Sequence, residues 1–176
     1  YFKRVINISR LENQKNLFTL LDLCKMSDLE LDIVGSGVLL KELKQYAKKI
    51  KLKVRFLGQI NNSNLPNLLS RYNFYITTSK IEGSPKSIME AMSVELPIFG
   101  LKANGLSSMV KNGKTGYLFS DKKILSNKII KFSGNTRILK NMGKNARRLI
   151  IENFNLNKNI QNEKKIFEKL INEKKY

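Results

Sequence analysis

Apolar positions along the chain switch repeatedly between a strand pattern and a helical one. Val5-Ile6-Asn7-Ile8 predicts a short strand, after which Leu17, Leu20, Leu21 and Cys24 recur at helical spacing. Leu29 to Val34 predicts a second strand, Gly35-Ser36-Gly37 a turn, and Leu39, Leu40, Leu43, Tyr46, Ala47 and Ile50 a second helix. A third strand is expected over Val54 to Leu57, then a short helix from Ser63 to Tyr72 with Pro66 in its first turn, then a fourth strand from Phe74 to Thr78. The next helix is expected to start at Ser84-Pro85, where serine caps and proline suits the first turn. Pro97-Ile98-Phe99 and Gly116 to Phe119 predict two late strands, separated by a helical turn near Leu106 to Lys111. From Lys122 onward three helical patterns follow one another, the last carrying Ile160, Phe167, Leu170 and Ile171.

Strands alternating with helices over short connections predict an α/β fold, a mainly parallel sheet with helices on both faces. With 176 residues there is room for one core, so the chain is read as a single domain over 1–176, flanked by helices from about 122 onward. In such sheets ligands bind beyond the carboxyl ends of the strands, which directs attention to the βα turns.

Composition narrows the chemistry. The chain has no histidine, which excludes His-based zinc sites, Ser-His triads and imidazole acid-base catalysis within it. Its single cysteine, Cys24, forms no internal disulfide, no stretch has the length and apolarity of a membrane span, and Tyr1 to Ile6 lacks a signal-peptide block, so a cytoplasmic setting is expected. The chain opens without Met and inside a strand pattern, so it is expected to be one domain of a longer protein. Thirty-three Lys and Arg against 14 Asp and Glu give a net charge of +19, a field that favours phosphorylated ligands, polyanions or an anionic membrane surface. The same charge is also read as a compositional habit, since lysine is spread along the whole chain.

Gly35-Ser36-Gly37 follows a strand and opens a helix, but the third glycine of the dinucleotide fingerprint would fall at Leu40. The turn is therefore read either as a tight turn or as backbone N–H groups near a ligand. Arg10 and Lys15 flank the first βα turn, beside a helix N-terminus, an arrangement suited to a diphosphate. The densest feature runs from Ser79 to Met92. Glu82 and Glu90 stand there with seven residues between them, too far apart for an acid-base pair and suited to holding hydroxyls at two points. Between them the N–H groups of Lys86, Ser87 and Ile88 lie in a first helical turn, open to phosphate oxygens. On spacing alone the alternative stays open that Glu82 complements the helix dipole and Glu90 lies on a solvated face.

The segment Glu82 to Met92, followed by Leu96-Pro97-Ile98, resembles the signature of retaining GT-B glycosyltransferases of the large family-four group. Ser9-Arg10-Leu11 with Lys15-Asn16, Val34-Gly35-Ser36-Gly37 with Leu43, Val54-Arg55-Phe56-Leu57-Gly58, Asn104-Gly105, and Asn112 to Leu118 fall in the family's order. The resemblance covers nearly the whole chain and implies a Rossmann-like sheet, the C-terminal, donor-binding half of a GT-B fold, with the N-terminal acceptor domain outside this chain. It further implies that Arg10 and Lys15 hold the donor diphosphate, Glu82 the sugar hydroxyls and Glu90 the ribose hydroxyls. Gly35, Gly37 and Gly83, Ser84, Pro85, Lys86, Ser87 and Ile88 would line the sugar and diphosphate, and the Gly58-Gln59-Ile60 turn would approach the base. The implied activity is hexosyl transfer from a nucleotide-diphosphate sugar with retention and no bound metal or cofactor, to a glycan or lipid-linked acceptor in surface polysaccharide or glycolipid synthesis. Peripheral contact with the inner face of an anionic membrane goes with such acceptors; nucleic acid is not an expected partner, because the aromatic residues form no stacking platform. Two rivals stand beside this reading. A GT-B nucleotide-sugar epimerase would need the absent histidine, and a polyanion or membrane-surface module would leave the carboxylates structural. The sequence departs from the family pattern at Glu95, where glycine is usual, at Asn104, the first of a usual glycine pair, at Ser108, where Glu is common, and at Lys86, often apolar.

Overall fold

The computed structural model describes residues 3–83 and 85–173; Ser84, expected both as helix cap and as donor contact, lies outside them. Six strands form one sheet: β1 (Arg4–Ile8), β2 (Glu30–Val34), β3 (Val54–Gly58), β4 (Tyr75–Thr77), β5 (Ile98–Leu101) and β6 (Gly116–Phe119). Their order is β3-β2-β1-β4-β5-β6 with every pairing parallel. This is the order of the doubly wound, Rossmann-like α/β fold that the alternating pattern predicts.

Helices α1 (Leu17–Met26), α2 (Leu40–Lys49) and α5 (Lys122–Ser133) cover one face. Their apolar stripes, including Leu20, Leu21, Leu43, Leu125 and Ile129, close on Val5, Leu31 and Ile33 of the sheet. Helices α3 (Leu65–Leu69), α4 (Lys86–Ser93) and α6 (Thr136–Asn153) cover the other, where Leu69, Ile88, Met92 and Ala146 meet Ile6, Tyr75 and Ile98. Asp121 and Asn135 start α5 and α6 by accepting N–H bonds from Lys123, Ile124 and Ile138. In α7 (Leu156–Glu173), Ile160, Phe167, Leu170 and Ile171 are all more than half exposed. No helix among the described residues is long and apolar enough to cross a membrane.

The helix expected from Ser63 to Tyr72 comes out shorter. A 3-10 turn at Asn62–Asn64 leads into the five-residue α3, which ends at Leu69, and beyond it the Tyr72 hydroxyl donates a hydrogen bond to the buried Asp32 carboxylate. Burial acts to raise the Asp32 pKa, but bonds from Arg55 and Tyr72 outweigh it and hold the carboxyl below its ordinary range. The expected helical turn after Leu106 is a single one, in which the Met109 and Val110 N–H groups both donate to the Leu106 carbonyl.

Glu95 shows why glycine is usual at its position. Its φ is +66°, and the α6 backbone packs so closely there that a Cβ on Gly143 would lie 1.9 Å from the Glu95 carbonyl oxygen. A left-handed conformation costs a non-glycine residue about 1–2 kcal/mol, partly offset in a Glu95→Gly variant by about 0.4–1 kcal/mol of extra freedom in the unfolded chain. The exposed substitution is expected to raise the unfolding free energy by about 0.5–1 kcal/mol, read from the urea midpoint; a loss of stability would contradict the strain.

Candidate functional site

The sheet opens where its chain order reverses. β1 pairs with β2 over five residues, but with β4 at one alone, Ile6 opposite Tyr75. Beyond that rung the two strands part, and the side-chain amide of Asn7 reaches across to donate to the Ile76 carbonyl at 2.8 Å. A cleft of about 560 Å³ lies over the parting, at the carboxyl ends of β1, β2, β3 and β4, where a doubly wound sheet places its ligand.

The turn after β1 supplies two cations. It is pinned from below by Gly35: a Cβ there would lie 2.0 Å from the Ser9 carbonyl oxygen, so only glycine lets the two turns pass. The Gly35 N–H is spent on the Gly58 carbonyl at 2.7 Å, and Gly37 lies against the Leu11 backbone, outside the cleft. Both glycines thus serve close backbone approach. Further along, the Asn13–Lys15 3-10 turn ends in left-handed Asn16. Thr78 donates to the Asn16 carbonyl at 2.9 Å and the Lys80 N–H to the Gln14 carbonyl at 3.0 Å, tying this turn to the one after β4.

That tie brings Lys15 onto Glu82. The ammonium and carboxylate pair at 2.8 Å, with side chains only 18% and 10% exposed. Behind Glu82, Gly105 has φ +86°, and its Cβ would lie 2.0 Å from the Glu82 carbonyl; the Glu82 N–H donates to Asn104 at 3.2 Å. Asn104 therefore fills its usual glycine's place through its backbone, and Ser108 lies outside the cleft. Arg10 lines the cleft more openly, its guanidinium 3.1 Å from Glu12, a partner that sequence reasoning did not anticipate.

On α4, Lys86, Ser87 and Glu90 face the same space. The N–H groups of Lys86 and Ser87 have no partner among the described residues, whereas that of Ile88 donates to Pro85 and its side chain is buried in the core. Burial raises the Glu90 pKa, and the positive charge of Lys86, one turn earlier, draws it back down. The far end of the cleft is apolar in its floor, formed by Ile60, Leu65 and Val34, with Gln59, Asn61 and Asn62 at the rim. There Gln59 donates to Ser36 at 2.8 Å, bridging two turns.

The fold thus gathers Arg10, Lys15, Gly35, Ile60, Glu82, Lys86, Ser87 and Glu90 around one cleft and leaves Gly37, Gly83, Pro85 and Ile88 off its lining. Ser9, Ser36, Asn61 and Asn62 were not singled out from the sequence. Their one signal is position, within four residues of the carboxyl end of a strand.

The family model described as "Glycosyl transferases group 1" matches residues 2–149. Among curated proteins, the Escherichia coli UDP-Gal:alpha-D-GlcNAc-diphosphoundecaprenol alpha-1,3-galactosyltransferase is 33% identical over 77% of this chain and 35% of its own length. An uncharacterized glycosyltransferase of Methanocaldococcus jannaschii is 32% identical over 80% of the chain and 37% of its own. Among solved structures, Anabaena HepE in complex with UDP-glucose superposes with a TM-score of 0.82 at 25% identity, over 97% of this chain and 49% of that one. TarM of S. aureus, with a TM-score of 0.83 and 23% identity over 97% of this chain and 35% of its own, shares the fold. These neighbours are GT-B glycosyltransferases. The chain spans about a third to a half of the length of these proteins.

The Lys15–Glu82 pair is testable without any ligand. In a double-mutant cycle of Lys15→Met and Glu82→Gln followed by urea unfolding, the coupling energy is expected at about 1 kcal/mol or more, as for a mostly buried pair in contact. Additivity within about 0.3 kcal/mol would mean the pair is not formed in solution.

Proposed function

We propose that the chain, which belongs to the glycosyl transferases group 1 family, binds the nucleotide-diphosphate sugar of a retaining hexosyl transfer in the cleft between β1 and β4. One observation carries this: Arg10, Lys15, Glu82, Lys86, Ser87 and Glu90 come from three separate segments and converge there on a single space. Two cations and two open helical N–H groups answer a diphosphate; two separated carboxylates answer hydroxyl groups. The apolar floor at Ile60 and Leu65, with an amide rim, suits the face and edge of a nucleobase.

Each group then has a task. Lys15, held by Glu82, and Arg10, once exchanged from Glu12, bind the two phosphates and take up the charge that develops as the anomeric C–O bond breaks. Glu82 accepts from the sugar hydroxyls and Glu90 from the ribose hydroxyls, both as carboxylates. The acceptor oxygen attacks the anomeric carbon from the face the diphosphate leaves, and a departing diphosphate oxygen takes the acceptor proton. No protein nucleophile enters this scheme. The acceptor, a glycan or a lipid-linked one as in the name of the E. coli relative, is placed by an N-terminal domain beyond this chain. Work at the inner face of an anionic membrane accords with the +19 charge. Orientation by two domains supplies much of the rate in such a scheme, so the chain alone binds donor but turns over poorly.

Calorimetry with UDP, GDP, ADP and dTDP and their sugar conjugates, at two salt concentrations, tests this. Saturable binding that prefers one base is expected, weakened about tenfold or more by either Lys15→Ala or Glu90→Ala. Indiscriminate binding that salt abolishes would contradict it. The pH dependence has a definite sign. Hydroxyl binding needs ionised Glu90, whose pKa is raised, so affinity is expected to fall on acidification from above the usual glutamate value of about 4.3. Lys86→Met removes the charge that draws that pKa down and is expected to move the acid limb to higher pH; an unmoved limb would detach Glu90 from binding.

A further inference from the structure

Where β1 leaves β4, the backbone groups of Ile8 face a strand that is no longer there to pair with them. One side chain takes the place of the missing rung. The hydroxyl of Tyr75 accepts from the Ile8 N–H at 3.1 Å and stands 2.9 Å from the Ile8 carbonyl, to which it donates. A phenol donates and accepts at one atom while its ring fills the core, so one side chain serves both backbone groups of Ile8. Tyr75 is 1% exposed, and burial pushes its phenol up to about 12, so it keeps its proton throughout the working pH range.

The same hydroxyl has a third neighbour, the Ser87 Oγ at 3.1 Å. Ser87 lines the cleft in the first turn of α4, beside its open N–H groups. The phenol has a single proton. With the Ile8 carbonyl as its acceptor, the Ser87 hydroxyl turns its own proton onto the phenol oxygen; with Ser87 as its acceptor, the Ser87 proton is free to point into the cleft. Both arrangements use the heavy-atom positions already present.

We propose that Tyr75 is a positioning residue for the donor diphosphate: through the bond it accepts from the Ile8 N–H it fixes the end of β1, from which the Arg10 and Lys15 turn departs, against the first turn of α4, and by turning its one proton from the Ile8 carbonyl onto Ser87 it leaves Ser87 oriented to donate to a phosphate oxygen. This rests on the donor-binding reading above. It adds a group that touches no ligand and that neither charge nor motif singles out. A tyrosine within a strand is otherwise explained by burial alone.

The test compares whichever of UDP, GDP, ADP and dTDP binds most tightly with its own nucleoside, by NMR titration of the whole chain. Tyr75→Phe keeps the ring in the core and removes the hydroxyl. Its affinity for the nucleoside diphosphate is expected to drop about tenfold while that for the nucleoside stays within twofold. Ser87→Ala, at a half-buried position with little volume to lose, is expected to reproduce that phosphate-specific loss, and adding Tyr75→Phe to it to cost less than a further threefold. Ser87→Ala reports from the other end of the bridge even where Tyr75→Phe does not fold. Equal weakening of diphosphate and nucleoside by Tyr75→Phe, or undiminished diphosphate affinity in either variant, would overturn the positioning role while leaving donor binding intact. A wild-type chain that binds none of these nucleoside diphosphates would overturn the donor reading and this role with it.

Discussion

The site depends on a sheet that stops pairing at one place. A parallel sheet buried on both faces satisfies its backbone groups rung by rung, and an unpaired N–H or C=O in such surroundings costs about 1–3 kcal/mol. Between β1 and β4 the ladder has one rung and then parts, and the helices that follow, α1 and α4, pack on opposite faces of the sheet. That parting makes the cleft. It persists because Asn7 and Tyr75 supply from side chains what the ladder withholds, the first to Ile76 and the second to Ile8. No buried side-chain polar atom among the described residues is left without a partner.

Once the sheet opens, electrostatics decides what enters. The residues around the opening are mixed in sign: Lys15 is committed to Glu82 and Arg10 to Glu12. A purely basic cleft would attract any polyanion, whereas one that also holds carboxylates disfavours it and suits the proposed ligand, with hydroxyls beside its phosphates. Glu90 carries the cost of that selectivity. Its raised pKa means the folded chain binds its proton more tightly than the unfolded one, so ionised Glu90 detracts from stability above that pKa. A carboxylate held there at such a cost accords with the hydroxyl-binding role proposed for it.

Much of this was legible in the chain. The strand and helix order followed from apolar periodicity because each element buries a continuous stripe, and the resemblance carried by Glu82 to Met92 pointed to the cleft and to most of its charged groups. What the sequence hid was the division of labour among neighbours. Gly37 reads as a ligand-facing glycine, yet it serves the passage of the Leu11 backbone; Ile88 reads as an open N–H, yet that group is turned onto Pro85. Such outcomes depend on which turn lies over which, a tertiary fact with no local trace. Tyr75 was hidden for the opposite reason, since its local pattern is fully explained by the core and its hydroxyl matters only where two strands happen to part.

On the proposed function this opening, and not the diffuse positive surface, receives the ligand. Backbone amide spectra of the chain, recorded while a uridine or guanosine diphosphate sugar is added, test it most directly. Saturable shifts confined to Ile8 to Arg10, Lys15, Gly35 and Ser36, Gln59 to Asn62 and Lys86 to Glu90 are the expected result. Shifts spread over the lysines of α2, α5 and α6, with those turns unmoved, would contradict it.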